Sequence, residues 1–351
     1  MHIRTIDWKN NKVRLIDQTK LPQRLAYINI DKAGDLCRAI KMMQVRGAPV
    51  LGAAAAFGVY LGVKDYHGNS WRGFERKLKL AGKYIAASRP TARNLFWGIE
   101  RVCHAAKINK DRPVFMIKRA ILDEAKMIIE EDKASCRLLG FYGAGLLKNK
   151  AKVLTICNAG CLATIDYGTA LGVIYAAKDQ GKKIKVFSSE TRPLLQGSRL
   201  SVWELCKKGV EVVMIADNTA SKLMCDGEID LVITGADRIA LNGDCANKIG
   251  TLNLAILAKY HNIPFYIAAP KSTFDLSIKS GREIKIEMRR VGEVTSILSQ
   301  INTAPAGSKA LNPAFDVTPH QLIRGIITDR GIIKPPFLKN IRDTLLRKEC
   351  V

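Results

Sequence analysis

Hydrophobic and polar positions follow two rhythms along the 351-residue chain. From residue 31 to about residue 148 apolar residues recur at helical spacing. Ile121, Ala125, Ile128 and Ile129 share one helix face, and Asp31 stands where it would cap a helix reaching Met43. The segment from Ala48 to Val63 is apolar on every side, but too short and too rich in small residues to span a bilayer. Strand signals in this half are confined to its start, where HIRTIDW and KVRLID flank Lys9, Asn10 and Asn11 as a short hairpin.

After residue 150, short β-branched runs alternate with longer helical stretches, the mark of parallel βαβ units. KVLTIC (152–157), IKVFSSE (184–190), VEVVMIA (210–216), DLVITGA (230–236), PFYIAA (264–269) and GIITD (325–329) read as strands. ATIDYGTALGVIYAAKDQ, SRLSVWELCKK, ASKLMC and ANKIGTLNLAILAKYH read as the helices between them; in the last, Ile249, Leu252 and Ile256 fall on one face. The predicted fold is α/β: a mainly helical N-terminal domain with a short β-hairpin (1–148), then a doubly wound parallel-sheet domain (149–351). The stretch NTAPAGSKALNP (302–313) has the composition of a long surface loop.

Composition narrows the picture further. With 47% hydrophobic and 25% charged residues the chain is that of a folded globular protein. The N-terminus, MHIRTIDWKN, lacks the apolar core of a secretory signal, which points to the cytoplasm. Nine cysteines, odd in number and irregularly spaced, read as reduced thiols, and without paired Cys-x-x-Cys motifs no metal is expected. The net charge of +24 is carried by short pairs such as Lys182 with Lys183 and Lys207 with Lys208, not by a long basic tract. A solvated basic surface is expected, with neither nucleic acid nor membrane as partner.

In open parallel sheets ligands sit beyond the carboxyl ends of the strands, so the loops leaving those ends carry the candidate chemistry. Cys157 ends the first strand of the second half, and Asn158, Ala159 and Gly160 are read as leading into a helix whose free amides favour an anion or a thiolate. A small buried apolar role fits Cys157 equally well. Asp237 follows the apolar run LVITGA, so partial desolvation is expected to raise its pKa and let it act as an acid; a helix-capping Asp paired with Arg238 is the alternative. Arg46 and Arg89 have the fork geometry for a phosphate, Gln196 suits a sugar hydroxyl, and Lys248 is placed at a helix start; each residue also fits an ordinary surface role.

Taken together, these stretches resemble the methylthioribose-1-phosphate isomerases, in the superfamily that includes ribose-1,5-bisphosphate isomerase and regulatory subunits of a translation initiation factor. The resemblance runs through DQTKLP (17–22), RGAP (46–49), RPTARNL (89–95), CNAGCLATIDYGTALGVI (157–174), ETRPLLQG (190–197), GADRIALNGDCANKIGT (235–251) and NPAFDVTP (312–319). It implies that Cys157 and Asp237 are catalytic and that Arg46, Gly47, Ala48, Arg89, Gln196, Asn247 and Lys248 bind substrate. It also implies a Rossmann-like second domain, a homodimer, and aldose–ketose isomerisation of 5-methylthioribose 1-phosphate in methionine salvage. No cofactor is implied, and the Gly-x-Gly-x-x-Gly turn of dinucleotide sites does not follow KVLTIC. The chain departs from the pattern at Cys161, usually a small residue such as Ala, at Arg93, and in EMRRVGEVT (287–295), which has lost acidic character.

Overall fold

The computed structural model describes residues 3–298 and 300–346. The chain packs as two units, each with its own apolar core.

The N-terminal unit extends to Ala134 and also includes Cys161–Tyr167. Strands β1 (Ile6–Lys9) and β2 (Lys12–Ile16) pair antiparallel with Lys9 opposite Lys12. The turn is thus Asn10 and Asn11, at φ 50° and 57°, a left-handed pair that asparagine tolerates. A third strand, β3 (Tyr27–Ile30), pairs with β2 and lies outside the predicted hairpin: its four residues run straight into the Asp31 that resembles a helix cap. Asp31 instead forms an ion pair with Lys12, and helix α1 (Ala33–Lys41) begins without a side-chain cap.

Four longer helices follow: α2 (Ala48–Val63), α3 (Trp71–Ala86), α4 (Arg93–Ile108) and α5 (Val114–Ala144). The expected all-apolar segment is α2, buried for most of its length, with α3 and α4 packed against it. Two glycines permit the α2–α4 crossing: a Cβ on Gly98 would lie 2.1 Å from the carbonyl oxygen of Gly52. Helix α5 continues past residue 134, so the line between the units falls inside it and not at residue 148, where the change of rhythm places it.

The C-terminal unit comprises Ser135–Gly160 and the chain from Gly168 onward. Its elements in order are β4 (Lys152–Thr155), α6 (Ala170–Asp179), β5 (Lys185–Ser189), α7 (Val202–Lys207), β6 (Glu211–Ile215), α8 (Ala220–Cys225), β7 (Leu231–Thr234), β8 (Arg238–Ala240), β9 (Cys245–Lys248), α9 (Thr251–Tyr260) and β10 (Phe265–Ala268). There follow β11 (Phe274–Asp275), α10 (Gly292–Thr295), β12 (Ser296–Ile297), β13 (Ile301–Asn302), β14 (Phe315–Thr318), β15 (Gly325–Thr328), β16 (Gly331–Ile333) and α11 (Phe337–Leu346).

The main sheet has seven strands in the order β16-β15-β10-β7-β4-β5-β6, parallel except for β16. The six parallel strands are those read from the sequence, each trimmed by one to three residues, in the doubly wound order of a Rossmann fold. Central β7 is buried throughout, as a strand covered on both faces must be, whereas β6 forms an edge and exposes Val213 and Met214. A second sheet, β11-β8-β9-β14, grows from the chain beyond β7.

Two expected helices are shorter than predicted. Helix α6 starts only at Ala170, because residues 161–167 are held by the N-terminal unit: Thr5 donates to the Cys161 carbonyl, Gln18 to that of Leu162, and Val50 N–H to that of Ala163. Helix α9 starts at Thr251, so Asn247 and Lys248 lie in strand β9 and not at a helix start.

The Gly98 contact is directly testable. Gly98→Ala adds a methyl that meets backbone, which has nowhere to retreat, so we expect a loss of about 2 kcal/mol despite alanine's better helix propensity. Thermal unfolding should show a lower Tm, and an unchanged or raised Tm would refute the close crossing.

Candidate active site

The strand order reverses between β4 and β7, which pair side by side with Leu154 opposite Val232. Cys157 lies two residues beyond the end of β4 and Asp237 three beyond that of β7, so both leave the same edge of the sheet at its switch point. Both are half-buried. The helix expected to cradle an anion directly after Cys157 is absent; turn and bend structure fills the chain to residue 169.

Cys157 is instead shaped by its own backbone. It has φ 65°, a left-handed conformation that costs a non-glycine residue about 1–2 kcal/mol. Both of its backbone polar groups are held by the connection after β5: its N–H donates to Thr191 Oγ1 at 2.8 Å, and its carbonyl accepts from Ser201 Oγ at 2.7 Å. Thr191, itself at φ 69°, donates its hydroxyl to the Ser189 carbonyl, and Asp217 accepts the N–H groups of Thr191 and Arg192.

Gln196 ends the same connection, ahead of a π-helical turn, Gly197–Ser201, that runs into α7. It is buried, and its Oε1 has no hydrogen-bond partner among the described residues, leaving an acceptor suited to a hydroxyl. The turn sits so close to β5 that a Cβ on Gly197 would lie 1.7 Å from the Ser189 carbonyl oxygen.

Asp237 caps no helix. It precedes β8 and donates its N–H to the Ala246 carbonyl at 2.9 Å, while the Arg238 guanidinium is taken by Asp275. That pairing brings β9 against it, with Asn247 and Lys248 next in line after Ala246. Asn247 is buried and donates to Thr251 Oγ1 at 3.0 Å; Lys248 is buried, with Nζ 2.8 Å from the Ala314 carbonyl and 4.6 Å from the centre of the Phe315 ring. The start of α9 is already occupied by a carboxylate, since Asp316 accepts from the N–H groups of Gly250 at 2.7 Å and Leu252 at 3.1 Å. Sequence reasoning overlooks Asp316 because only pairing of β14 with β9 sets it opposite Asn247.

The other four predicted residues belong to the N-terminal unit. Gly47 and Ala48 form the start of α2, with Gly47 at φ 113° and so close to residue 163 that a Cβ would lie 2.4 Å from the Ala163 carbonyl oxygen. Arg46 precedes them, and Arg89 lies in the turn before α4. Asn94, in the first turn of α4, is 1% exposed, and neither side-chain amide atom has a partner among the described residues. Cys161 is buried, a packing residue whose carbonyl Thr5 holds. Arg93 is drawn along its own helix to Glu100, at 3.3 Å. No disulfide joins the described cysteines, no group of three or more described His, Cys, Asp or Glu side chains is placed to hold a metal, and no described helix is long and apolar enough to cross a membrane.

Fold and site thus define a doubly wound α/β protein with a thiol and a carboxyl at the switch point of its sheet. A family model described as the initiation factor 2 subunit family matches residues 44–335, and the chain belongs to that family. It is 51% identical to methylthioribose-1-phosphate isomerase of Geotalea daltonii over 342 residues, 97% of this chain and 99% of that one. It is 50% identical to 5-deoxyribose 1-phosphate isomerase of Moorella thermoacetica, over 98% of this chain and 97% of the relative. The solved structure of 5-methylthioribose 1-phosphate isomerase from Pyrococcus horikoshii superposes with a TM-score of 0.89 at 43% identity, covering 98% of this chain and 96% of that one.

Asp316 supplies a pH test. Burial pushes its carboxyl from 3.8 up to about 6, against the two N–H groups and the Lys248 charge that pull it down. An acid whose pKa is raised by folding stabilises the fold below its unfolded value, and the contribution disappears as pH rises through the folded one. Between pH 4 and pH 7 the wild type should therefore lose roughly 2 kcal/mol relative to Asp316→Asn. Denaturant unfolding of both proteins at the two pH values measures the difference, and a pH-independent gap would contradict it.

Proposed function

We propose that the protein is an aldose–ketose isomerase that converts 5-methylthioribose 1-phosphate to 5-methylthioribulose 1-phosphate in methionine salvage, with Cys157 and Asp237 as its catalytic residues. The observation that carries the reading is the pair itself: a constrained thiol and a carboxyl leave neighbouring parallel strands where such sheets bind ligands. Relatives bearing isomerase names at about half identity over nearly the whole chain support it.

A sugar with phosphate on its anomeric carbon cannot open spontaneously, so the ring oxygen needs an acid. In the proposed mechanism Asp237 gives it a proton as the bond to C1 breaks, leaving C1 electron-poor. Hydrogen then moves from C2 to C1 by one of two routes. In the first, Cys157 as thiolate takes the C2 proton to form an enol phosphate, then returns a proton to C1 while the C2 hydroxyl releases its own proton to the Asp237 carboxylate, which yields the ketose. In the second, the C2 hydrogen passes to C1 with its electron pair beside Cys157, and the C2 hydroxyl releases its proton to the Asp237 carboxylate. Gln196, Asn247 and Lys248 bind sugar and phosphate; the binding roles that the resemblance gives Arg46, Gly47, Ala48 and Arg89, a homodimeric state and a cytoplasmic setting belong to the same proposal. No cofactor is required.

A second substrate has specific support, 5-deoxyribose 1-phosphate, named in a relative at 50% identity. It differs only in lacking the methylthio group. A bisphosphate would need an added cation for its second phosphate; Arg93, within the RPTARNL motif, pairs at the surface with Glu100.

An NMR assay of ketose formation from the methylthio, deoxy and bisphosphate sugars tests the reading. Wild type should turn over the first fastest, and Cys157→Ser and Asp237→Asn should each lose at least 1000-fold in kcat with folded spectra; failure of wild type on all three sugars would sink the assignment. In heavy water, deuterium at C1 of the ketose selects the proton route and its absence the hydride route.

A further inference from the structure

Behind Cys157 lies a polar network that the proposed chemistry leaves unused. Its anchor is Glu204, in the first turn of α7, a carboxyl-bearing side chain only 1% exposed. Oε1 of Glu204 accepts from Asn158 Nδ2 at 2.8 Å, and Oε2 accepts from the Tyr175 hydroxyl at 3.2 Å. The same Asn158 amide nitrogen lies 3.1 Å from Ser201 Oγ, which in turn donates to the Cys157 carbonyl. A continuous path therefore runs from the Glu204 carboxyl through Asn158 and Ser201 to the backbone of the residue bearing the thiol.

The chain is shaped around this carboxyl. A Cβ on Gly160 would fall 2.1 Å from Glu204 Oε2, so the loop after Cys157 approaches it as only glycine permits. A buried carboxyl is costly unless its oxygens are satisfied, and apolar residues of similar volume would pack the space between α6 and α7 at lower cost. Stability alone gives little reason for its presence. What the network accomplishes is directional. With Thr191 gripping the N–H of Cys157 and Ser201 its carbonyl, the residue is held at φ 65°, and that torsion sets where the Cα–Cβ bond points.

The geometry points to Glu204, acting through Asn158 and Ser201, as the positioning residue that aims the Cys157 thiol at the substrate. This inference rests on the reading of Cys157 as catalytic. Glu204 does not touch the reacting atoms; it accepts from the Asn158 amide nitrogen, and so fixes the same donor group that reaches Ser201 Oγ. When the path is cut, Cys157 relaxes toward ordinary backbone angles and the thiol swings away, while residues that bind the sugar and phosphate remain in place. The signature is a fall in kcat at nearly constant KM.

The test compares Glu204→Ala, Glu204→Gln and Ser201→Ala with wild type, by steady-state kinetics on the isomerase substrate and by alkylation with iodoacetamide. Alkylation at Cys157 is followed by peptide mass spectrometry, with exposed Cys206 as internal reference. Glu204→Ala and Ser201→Ala should lower kcat 10- to 100-fold with KM within threefold, and should change the Cys157 alkylation rate at least fivefold relative to Cys206. Glu204→Gln keeps an acceptor for Asn158 and should recover most of both. Unchanged kcat and alkylation in both alanine variants would overturn the inference, as would equal losses in Gln and Ala variants. Should Glu204→Ala fail to fold, Ser201→Ala decides alone, since it removes one hydroxyl. The alkylation arm needs no turnover, so it reports on positioning even if the isomerase reading itself fails, and that failure shows separately as full activity in Cys157→Ser.

Discussion

A parallel sheet wound outward in both directions from its middle has one place that neither crossover connection can cover. Here it is the carboxyl edge between β4 and β7, where the chain goes one way through α6 to β5 and the other way through α9 to β10. Right-handed crossovers leading in opposite directions put their helices on opposite faces, which leaves the shared edge open. Everything proposed for the site follows from this constraint. The loops after β4 and β7 must emerge side by side, and they carry Cys157 and Asp237. The insertion after β7 then folds back as β8 and β9, delivering Asn247 and Lys248 to a position one and two residues beyond the carbonyl that receives the Asp237 N–H.

The constraint opens the edge but does not furnish it with charge. Helix N-termini are the usual source of phosphate-binding amides in such folds, and the sequence suggests two of them. Neither serves. No helix follows Cys157 directly, and the first turn of α9 is closed by the chain's own Asp316. In the proposed site the anion is then met by cationic side chains in place of those two helix ends. Lys248 is well held for phosphate binding, because its ammonium is buried, tied to the Ala314 carbonyl and set over the Phe315 ring, so little conformational freedom remains to be lost when an anion arrives.

How much of this is legible in the sequence follows from the range of the interactions involved. The six parallel strands stand out because burial on both faces writes a continuous apolar run into the sequence, and α2 stands out for the same reason. The placement of Cys157 and Asp237 just beyond strand ends is legible because a strand end is a local signal, whereas their roles come only from the resemblance. What fails is set at long range. Residues 161–167 look helical, yet Thr5, Gln18 and Val50 hold their carbonyls, and no local pattern reveals a competitor more than 100 residues away. Asn247 and Lys248 look like a helix start until pairing with β14 makes their segment a strand. Glu204 and Asp316 escape notice because a carboxyl is conspicuous only where it is buried, and their burial comes from elements far along the chain.

The same reasoning separates an enzyme from a scaffold of the same fold. The matching family is described by initiation-factor subunits while close relatives carry isomerase names, so the architecture alone does not specify the activity. Packing alone would then favour relaxing the loop after β4: an ordinary torsion at position 157, an apolar residue in place of Glu204, and no need for glycine at 160. In this chain all three costs are borne together, within four residues of one thiol and the helix behind it. Backbone strain, a buried carboxyl and a glycine-only approach are each destabilising on their own. Their convergence on Cys157 is accounted for if the direction of that thiol matters, and direction matters to a reaction far more than to a fold.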